Sequence, residues 1–420
     1  MRWRQQRIIM SEKSMSQLYR EYRKEKIKEN CIVFESLWGR SYSCNPAAFY
    51  EYICENHPEY ECVWFLNDIE TPVPGNAKKV LKKSEEYYHY LATAKYFVYN
   101  ANFPYSFKKR DGQVVIQTMH GTPFKTFGLD VKEEMATDYE KMRVVKRAAV
   151  WDYLVAQGEF TKKMAWTWFR YNNNVLETGY PRTDVLYKTD EGNAEALRKE
   201  YGIPAGKKVI LYAPTWRDMD RFDMMLDIEE MRRGLSDEYV LLVRPHYFVA
   251  EFYEIPEDGE FVFDACRTAK IEDLFPLTDI LITDYSSVMF DFTLTRKPMI
   301  FFAYDLKEYT ENTRGSYFDI STEAPGALTQ TTEEVVDAIR NIDSYYELNG
   351  SRIESFCSKY LTYENDRSSE LIYDTVFVRG AQARGVRIKN SALKVIRRVV
   401  PGRVYSSVRD RVIKATLRNK

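Results

Sequence analysis

Two of the four histidines in this 420-residue sequence directly follow short apolar runs that predict buried strands. His120 follows VVIQTM and opens the sequence His-Gly-Thr-Pro, and His246 follows VLLV within Arg-Pro-His. A histidine with a pKa near neutrality can take a proton from an attacking hydroxyl group. His57 and His89 fall in ordinary helix and loop contexts, and we interpret them as surface residues. A lone histidine is more often structural, but the shared placement predicts catalytic roles for His120 and His246.

The three residues after His120 suit a loop beside a reacting group. Gly121 allows the backbone to approach a ligand closely. Thr122 can cap a following segment, and Pro123 suits the first turn of a helix. We predict that this loop lies in the binding cleft.

A second candidate site, Asp284-Tyr285-Ser286-Ser287, follows the apolar run DILIT. A helix is predicted to begin here and to continue through VMFDFTLT. The free N–H groups of a helix start, with the hydroxyls of Ser286 and Ser287, suit an anion such as a diphosphate. Asp291 shares the helix face of Ser287 and could accept hydrogen bonds from the hydroxyls of a ribose or polyol. The alternative is that Asp284 or Ser286 simply caps the helix.

Other residues at predicted strand ends suit ligand binding. They are Pro214 and Thr215 in YAPTWRD, Arg244 and Pro245 beside His246, and Arg182 in TGYPRTD. An arginine in a cleft can neutralise phosphate charge as a leaving group departs. The sequence has no Gly-rich dinucleotide fingerprint, no P-loop and no acidic pair that indicates a metal site. We therefore expect neither a metal nor another cofactor.

The elements that position these residues alternate between short β-rich runs and helical segments from residue 31 onward. The pattern restarts after a polar stretch at residues 189–193. Such alternation indicates parallel sheets with helices on both faces. The predicted fold is α/β, with two doubly wound, Rossmann-like domains over residues 31–188 and 189–375 that face a cleft. Ligands bind beyond the carboxyl ends of strands in such sheets, where the candidate residues stand.

Charge is distributed unevenly, because a net charge of −1 combines an acidic body with two basic ends. Residues 1–30 carry nine Lys and Arg against four Glu, and residues 376–420 carry thirteen against one Asp, which leaves −18 between them. Helical spacing of apolar residues predicts a basic amphipathic helix over 1–30 and a basic amphipathic tail over 376–420. Both suit an anionic membrane surface. The alternatives are a solvated helix packed on the core and a tail that binds nothing in particular.

The composition also excludes several classes of protein. No stretch approaches the roughly 20 apolar residues that span a bilayer, and the N terminus lacks the features of a secretory signal. An acidic body argues against nucleic-acid binding. The six cysteines show neither CxxC spacing nor a dense framework, so we expect reduced thiols in a cytosolic protein.

Taken together, the motifs resemble those of the CDP-glycerol glycerophosphotransferase family of bacterial teichoic acid synthesis. The ordered set comprises FESLWGRSYSCNPAAFYEY from residue 34, VVIQTMHGTPFKTFG at 114–128, LETGYPRTD at 176–184, ILYAPTWRD at 210–218, RPHY at 244–247 and DILITDYSSVMFDF at 279–292. The resemblance implies a fold of the glycosyltransferase B type, with an acceptor-side domain followed by a CDP-donor-binding domain. It also implies peripheral attachment to the cytoplasmic face of the cell membrane.

By this resemblance, donor contacts fall at Met119, Gly121, Thr122, Pro123, Arg182, Pro214, Thr215, Arg244, Pro245, Ser286, Ser287 and Asp291. Met119 stands where the family usually has Trp, which alters packing beside His120 without removing a catalytic group. The implied reaction is attack of an acceptor hydroxyl on the β-phosphorus of CDP-glycerol, with CMP leaving. His120 is the expected general base, although His120 and His246 could exchange roles. The implied acceptor is a polyprenyl-diphosphate-linked saccharide or a polyol phosphate.

Three alternatives remain open at this point. CDP-ribitol shares the CDP group with CDP-glycerol, and the same architecture can serve a glycosyltransferase that uses a nucleotide sugar. A non-catalytic membrane scaffold would need the basic tail but neither histidine. The sequence also leaves open whether one unit or a polymer is added, and the oligomeric state.

Overall fold

The computed structural model describes residues 12–104, 106–187, 191–215, 217, 224–246, 254–268, 270–312 and 315–379. Residues 1–11 and 380–420, which include nearly all of the predicted basic tail, lie outside the described residues. Trp216 and Asp218 of the motif YAPTWRD lie outside them as well.

The first domain is built on a parallel sheet of seven strands in the order β3-β2-β1-β4-β5-β6-β7. The strands are β1 (Lys28–Glu35), β2 (Glu61–Leu66), β3 (Lys78–Leu81), β4 (Ala94–Tyr99), β5 (Val114–Gln117), β6 (Tyr153–Val155) and β7 (Asn174–Leu176). The helices are α1 (Glu12–Tyr22), α2 (Cys44–Asn56), α3 (Glu85–Thr93), α4 (Asp138–Ala148) and α5 (Glu159–Phe169). The central strands are almost continuous apolar runs because both faces of the sheet are buried.

The second domain is built on a parallel sheet of six strands in the order β10-β9-β8-β11-β12-β13. The strands are β8 (Lys208–Tyr212), β9 (Tyr239–Val243), β10 (Val262–Asp264), β11 (Ile280–Thr283), β12 (Met299–Phe302) and β13 (Ala327–Thr329). The helices are α6 (Glu191–Tyr201), α7 (Ile228–Leu235), α8 (Val288–Thr293), α9 (Leu306–Asn312), α10 (Ile320–Glu323), α11 (Thr332–Arg340) and α12 (Tyr345–Tyr360). The last helix, α13 (Ser368–Tyr373), follows them in the chain but packs on the first domain.

The strand order of each sheet reverses once, between β1 and β4 in the first domain and between β8 and β11 in the second. Such reversals open a crevice beyond the carboxyl ends of the two strands, where ligands of doubly wound sheets bind. The predicted fold of two doubly wound α/β domains is confirmed.

The N-terminal helix is shorter than the sequence predicts. α1 ends at Tyr22, and β1 already begins at Lys28, so the prediction of one helix over residues 1–30 is wrong in its extent. Tyr19 of α1 is buried in the core of the first domain, and its hydroxyl accepts a 3.1 Å hydrogen bond from the amide of Lys108. α1 therefore uses its apolar side to pack on the protein core.

The chain crosses back to the first domain near its described end. Phe356 and Tyr360 of α12 are buried in a core of the second domain, whereas Ile372 of α13 and Val376 are buried in that of the first. Val376 lies in a π-helical turn, Asp374–Val378, that continues α13. The boundary predicted between residues 375 and 376 therefore falls inside a helical segment of the first domain.

Candidate active site

His120 stands three residues beyond the carboxyl end of β5. The turn that leads to it places Met119 at φ 56°, in the left-handed region. The side-chain amide of Asn45 holds this turn by donating to the carbonyl oxygens of Thr118 at 2.9 Å and Met119 at 3.1 Å. The side chain of Met119 is buried in the first core and does not line the cleft, contrary to the prediction. Met119 therefore shapes the turn that presents His120.

A backbone carbonyl orients the imidazole of His120. Its Nδ1 lies 2.9 Å from the carbonyl oxygen of Asn100, which directly follows β4. Because a carbonyl only accepts hydrogen bonds, Nδ1 carries the proton of the neutral ring and Nε2 is left as an acceptor. The ring is open to solvent, yet the protein around it lowers its pKa, an effect that the Asn100 carbonyl opposes and the charge of Arg182 reinforces. His120 is therefore neutral at pH 7, as a general base must be.

His246 lies three residues beyond the carboxyl end of β9 and is half-buried. Burial, with smaller contributions from the positive charges of Lys125 and His120, lowers the pKa of His246 to about 4. The loop of His120 also meets the second domain where Gly121 approaches Ser287, and the charge of His120 is close enough to His246 to lower its pKa. The structure thus brings together the two histidines that the sequence singles out.

The loop after His120 reaches the second domain. Gly121 has φ 144°, and a Cβ atom there would come within 3.0 Å of Ser287 Oγ, so the missing side chain lets the loop touch the start of α8. Thr122 is buried and caps no helix, because its hydroxyl donates to Gln157 Oε1 at 2.7 Å. Pro123 is half-buried and begins no helix, since the chain continues from it as a loop. The predicted roles of Thr122 and Pro123 at a helix start are wrong.

Arg182 and Asp291, both predicted to contact the donor, contact each other between the two domains. Nη2 of Arg182 lies 2.5 Å from Oδ2 of Asp291, and its Nε lies 3.2 Å from Oε1 of Glu272. The second carboxylate oxygen of Asp291 accepts a 2.8 Å hydrogen bond from Gln157. Nη1 of Arg182 donates to the carbonyl oxygen of His120 at 3.0 Å. These two side chains therefore hold the domains together beneath His120, and protein groups occupy both carboxylate oxygens of Asp291.

Thr215 stands in the crevice beyond β8, next to the buried Pro214. Its amide donates to Asp284 Oδ1 at 2.8 Å. Its buried hydroxyl has no hydrogen-bond partner among the described residues. Buried hydroxyls are nearly always paired, so this oxygen is well suited to receive a polar ligand group. Pro214 has no side-chain hydrogen-bonding group, and its ring restricts the backbone of the turn.

Arg217, two residues further on, is a candidate site residue that is not among those predicted from the sequence. Its Nη2 lies 3.0 Å from Asp284 Oδ2, and its Nε lies 2.7 Å from Asp305 Oδ2. The guanidinium also stands 5.1 Å from the ring centre of Tyr285 and 5.0 Å from that of Tyr309. The two carboxylates raise the pKa of Arg217 against the effect of burial. Arg217 is therefore a permanent cation fixed in the crevice between β8 and β11.

Arg244 and Pro245 connect β9 to His246. Nη1 of Arg244 donates to the carbonyl oxygens of Ala265 at 2.5 Å and Thr268 at 2.6 Å. Burial lowers the pKa of Arg244 below its ordinary value. Pro245 is buried and carries His246 into the cleft. The Nη1 group of Arg244 thus stabilises the segment that follows β10.

α8 begins at Val288, directly after the two predicted anion-binding serines. Ser286 Oγ accepts a 3.3 Å hydrogen bond from the amide of Val288, the first helical residue, and Ser286 lies one position before the N-cap. Ser287 occupies the N-cap position, but its side chain makes no capping hydrogen bond. Both serines are half-buried, and Gly121 packs against Ser287. The two hydroxyls lie where the loop that begins at His120 meets the second domain.

Two further polar residues at strand ends were missed, although the rule that selects the histidines would have found them. Asn100 directly follows β4, and Gln157 lies two residues after β6. The carbonyl oxygen of Asn100 accepts the hydrogen bond that orients His120. The side chain of Asn100 accepts a 2.8 Å hydrogen bond from the amide of Leu37, in the loop after β1. Gln157 links Thr122 to Asp291.

Within the described ranges, no three His, Cys, Asp or Glu side chains gather as metal ligands would. In the same part of the chain, no helix combines the length and the apolar character that crossing a bilayer requires.

Residues 17–378 match the family described as CDP-Glycerol:Poly(glycerophosphate) glycerophosphotransferase. The chain is 38% identical to the teichoic acid poly(glycerol phosphate) polymerase of Bacillus subtilis over 367 residues, which cover 84% of this chain and 49% of that protein. It is 36% identical to the polymerase of the same description from Bacillus spizizenii, with 82% of this chain and 91% of that protein covered. The chain therefore spans about half the length of the first relative and most of the second.

The fold is also similar to a solved structure of the wall teichoic acid polymerase TagF, in a histidine-to-asparagine variant soaked with CDPG. The TM-score is 0.81 at 31% identity, and the match covers 87% of this chain and 93% of that chain. The family match, the curated relatives and this structural similarity agree. The chain belongs to the CDP-glycerol:poly(glycerophosphate) glycerophosphotransferase family.

Proposed function

We propose that this chain transfers glycerol phosphate from CDP-glycerol to a hydroxyl group of a polyprenyl-diphosphate-linked acceptor and releases CMP. The product would be a teichoic acid or a related cell-surface polymer. The observation that carries the proposal is that His120 and His246 each lie three residues beyond a strand end, on two domains that meet where Gly121 approaches Ser287. Family membership and the similarity to a TagF variant soaked with CDPG support the choice of donor.

In this reaction the acceptor hydroxyl gives its proton to Nε2 of His120, and its oxygen forms a bond to the β-phosphorus of the donor. The bond between that phosphorus and the bridging oxygen breaks, and CMP leaves with the electron pair. The carbonyl of Asn100 keeps His120 in the required tautomer. His246, which is neutral at pH 7, can donate its N–H to a phosphate oxygen. Thr215 supplies an unpaired hydroxyl on the donor side.

The proposed arrangement assigns the acceptor to the first domain and the nucleotide to the second. Its support is that each sheet has one switch point, beyond which a ligand can bind, and that the family resemblance gives the donor side to the second domain. The proposed location is peripheral, at the cytoplasmic face of the cell membrane. Its support is the charge of the two chain ends, since residues 1–30 and 376–420 carry most of the uncompensated Lys and Arg.

The test is CMP release by the purified chain with CDP-glycerol, CDP-ribitol or a UDP-sugar, each offered with a prenyl-diphosphate saccharide acceptor. We expect turnover with CDP-glycerol. His120→Ala should lower kcat by about 10²- to 10⁴-fold, the usual contribution of a general base. The matched control is His89→Ala, because His89 lies on α3, 3.1 Å from Glu25, outside the cleft.

The outcomes separate the competing functions. Turnover of CDP-ribitol alone would change the polyol and keep the mechanism, whereas turnover of the UDP-sugar alone would make the protein a glycosyltransferase. Near-normal turnover by His120→Ala would refute its role as the base. A protein that turns over none of the donors would favour the scaffold alternative.

A further inference from the structure

A donor with two phosphates brings negative charge into the cleft, so the cations that meet it are central to its binding. The structure commits two of the nearby arginines to carboxylates. Arg182 faces Asp291 at 2.5 Å and Glu272 at 3.2 Å. Arg217 faces Asp284 at 3.0 Å and Asp305 at 2.7 Å. Each arginine is outnumbered by its acidic partners, so neither site has a net positive charge to offer to a ligand.

The loop that begins at His120 carries a further cation, Lys125, which contacts the second domain. Phe124, the fifth residue of the loop, is buried in a core of the second domain and stacks on Tyr285 with ring centres 6.2 Å apart. Lys125 follows it and forms an isolated antiparallel bridge with Ser316. Two backbone hydrogen bonds of 2.9 Å flank this bridge. The amide of Tyr317 donates to the carbonyl oxygen of Phe124, and the amide of Thr126 donates to the carbonyl oxygen of Gly315. The backbone of Lys125 is therefore fixed to the second domain.

The side chain of Lys125 extends to α9, the helix that follows β12. Its ammonium lies 4.9 Å from the ring centre of Tyr309 on α9, and Tyr309 stacks on Tyr285 at 3.6 Å. Tyr285 is the residue before the two serines at the start of α8. The ammonium also acts on His246, whose pKa its charge lowers. Lys125 thus sits close to His246 and to the predicted anion-binding segment, although it belongs to the loop of His120.

We propose that Lys125 is a diphosphate-binding residue, whose ammonium contacts the phosphates of the nucleotide donor from the side of the first domain. The proposal rests on the function proposed above and adds a residue that the motif analysis passed over. A positive charge at this position stabilises the bound diphosphate and the negative charge that grows on CMP as the bond to the β-phosphorus breaks. It also makes the donor site depend on the loop that carries His120.

The experiment compares nucleotide binding to the wild-type chain, Lys125→Gln and Lys125→Arg, with CDP and UDP measured by calorimetry and cytidine by ligand-detected NMR. Lys132→Gln is the matched control, because Lys132 is an exposed lysine of the same domain outside the cleft. Lys125→Gln should weaken CDP binding by about 10- to 100-fold, the loss of one charge-assisted contact, and leave cytidine binding unchanged. Lys125→Arg should restore CDP binding to within a few-fold, and Lys132→Gln should change neither ligand.

Equal weakening of CDP and cytidine would overturn the proposal, because it would show that Lys125 only supports the fold of the site. Unchanged CDP binding by Lys125→Gln would overturn it as well. If Lys125→Gln does not fold, Lys125→Met takes the place of that variant in the comparison, because methionine keeps the apolar part of the lysine side chain. A wild-type chain that binds UDP but not CDP would instead refute the proposed donor, so the two failures are distinguishable.

Discussion

The contact between Arg182 and Asp291 gives a quantitative test of how the two domains are held together. Arg182 is 9% exposed and Asp291 is 2% exposed, and their atoms lie 2.5 Å apart. Burial raises the pKa of Asp291 to about 6, although the charge of Arg182 opposes this rise, so the pair is ionised at pH 7. Removal of one partner from a buried pair leaves an uncompensated charge and costs about 3–5 kcal/mol.

The expected cost for Asp291→Asn lies near the lower limit of that range, because Glu272 remains 3.2 Å from Arg182 and shares the compensation. Arg182→Met should cost more, since it leaves Asp291 and Glu272 buried together without a cation. The double variant should cost less than the sum of the two single variants, and we expect a coupling free energy of about 2–3 kcal/mol from the double-mutant cycle. The same cycle should show impaired catalysis in both variants, because Arg182 also holds the carbonyl of His120.

The assay is urea unfolding of the wild type, both single variants and the double variant, followed by tryptophan fluorescence. The control pair is Arg296 and Glu354, whose side chains are 48% and 72% exposed. An exposed pair of this kind contributes about 0–1 kcal/mol. A coupling free energy for Arg182 and Asp291 no larger than that of the control pair would refute the conclusion that they fasten the domains.

Three further outcomes are expected from single sites. His120 must be neutral to accept a proton, and its pKa is lowered from the ordinary value. We therefore expect kcat/KM for CMP release to fall only below about pH 6.5. A further rise of kcat/KM between pH 7 and 8 would contradict this. Thr215→Val removes a buried, unpaired hydroxyl, so donor KM should rise up to about tenfold while the melting temperature stays unchanged. An unaltered KM would mean that the hydroxyl meets no ligand. Burial raises the pKa of Glu364 from 4.5 to about 8, so the folded state retains a proton that the unfolded state loses, and stability should fall as pH rises through this window. Glu364→Gln should flatten that fall in melting temperature between pH 5.5 and 8.5, and an equally steep curve would exclude Glu364 as its source.

The sequence predicts the fold and the two histidines for one physical reason. Parallel strands place their carboxyl ends along one edge of a sheet, so residues after different strands meet even when they are distant in sequence. His120 and His246 obey this rule, and so do Asn100 and Gln157, whose amide side chains give no signal in the sequence because an amide has no obvious chemistry of its own. Thr215 was selected correctly as a strand-end residue, but only the structure shows its hydroxyl to be unpaired.

The errors have a different origin, because they depend on which side of the chain a residue faces. Met119 and Thr122 flank His120 closely, yet both point into buried protein, and a loop has no periodicity from which this orientation could be predicted. Arg182 and Asp291 were assigned separately to a ligand, because a cation and a carboxylate 109 positions apart in sequence give no sign that they pair. The helix over residues 1–30 was drawn too long because no strong stop signal precedes β1.

The contacts between the loop that begins at His120 and the second domain also limit how far apart the two histidines can move. His120 begins the loop whose Phe124 is buried beside Tyr285 and Phe318 of the second domain, with ring centres 6.2 and 4.9 Å away. A rotation that separates His120 from His246 would withdraw this ring, and exposure of a fully buried phenylalanine side chain costs about 1.5–3 kcal/mol. The same rotation would break the buried contact between Arg182 and Asp291. Both costs favour the arrangement in which the two histidines stay close, so their relative positions are fixed before any substrate arrives.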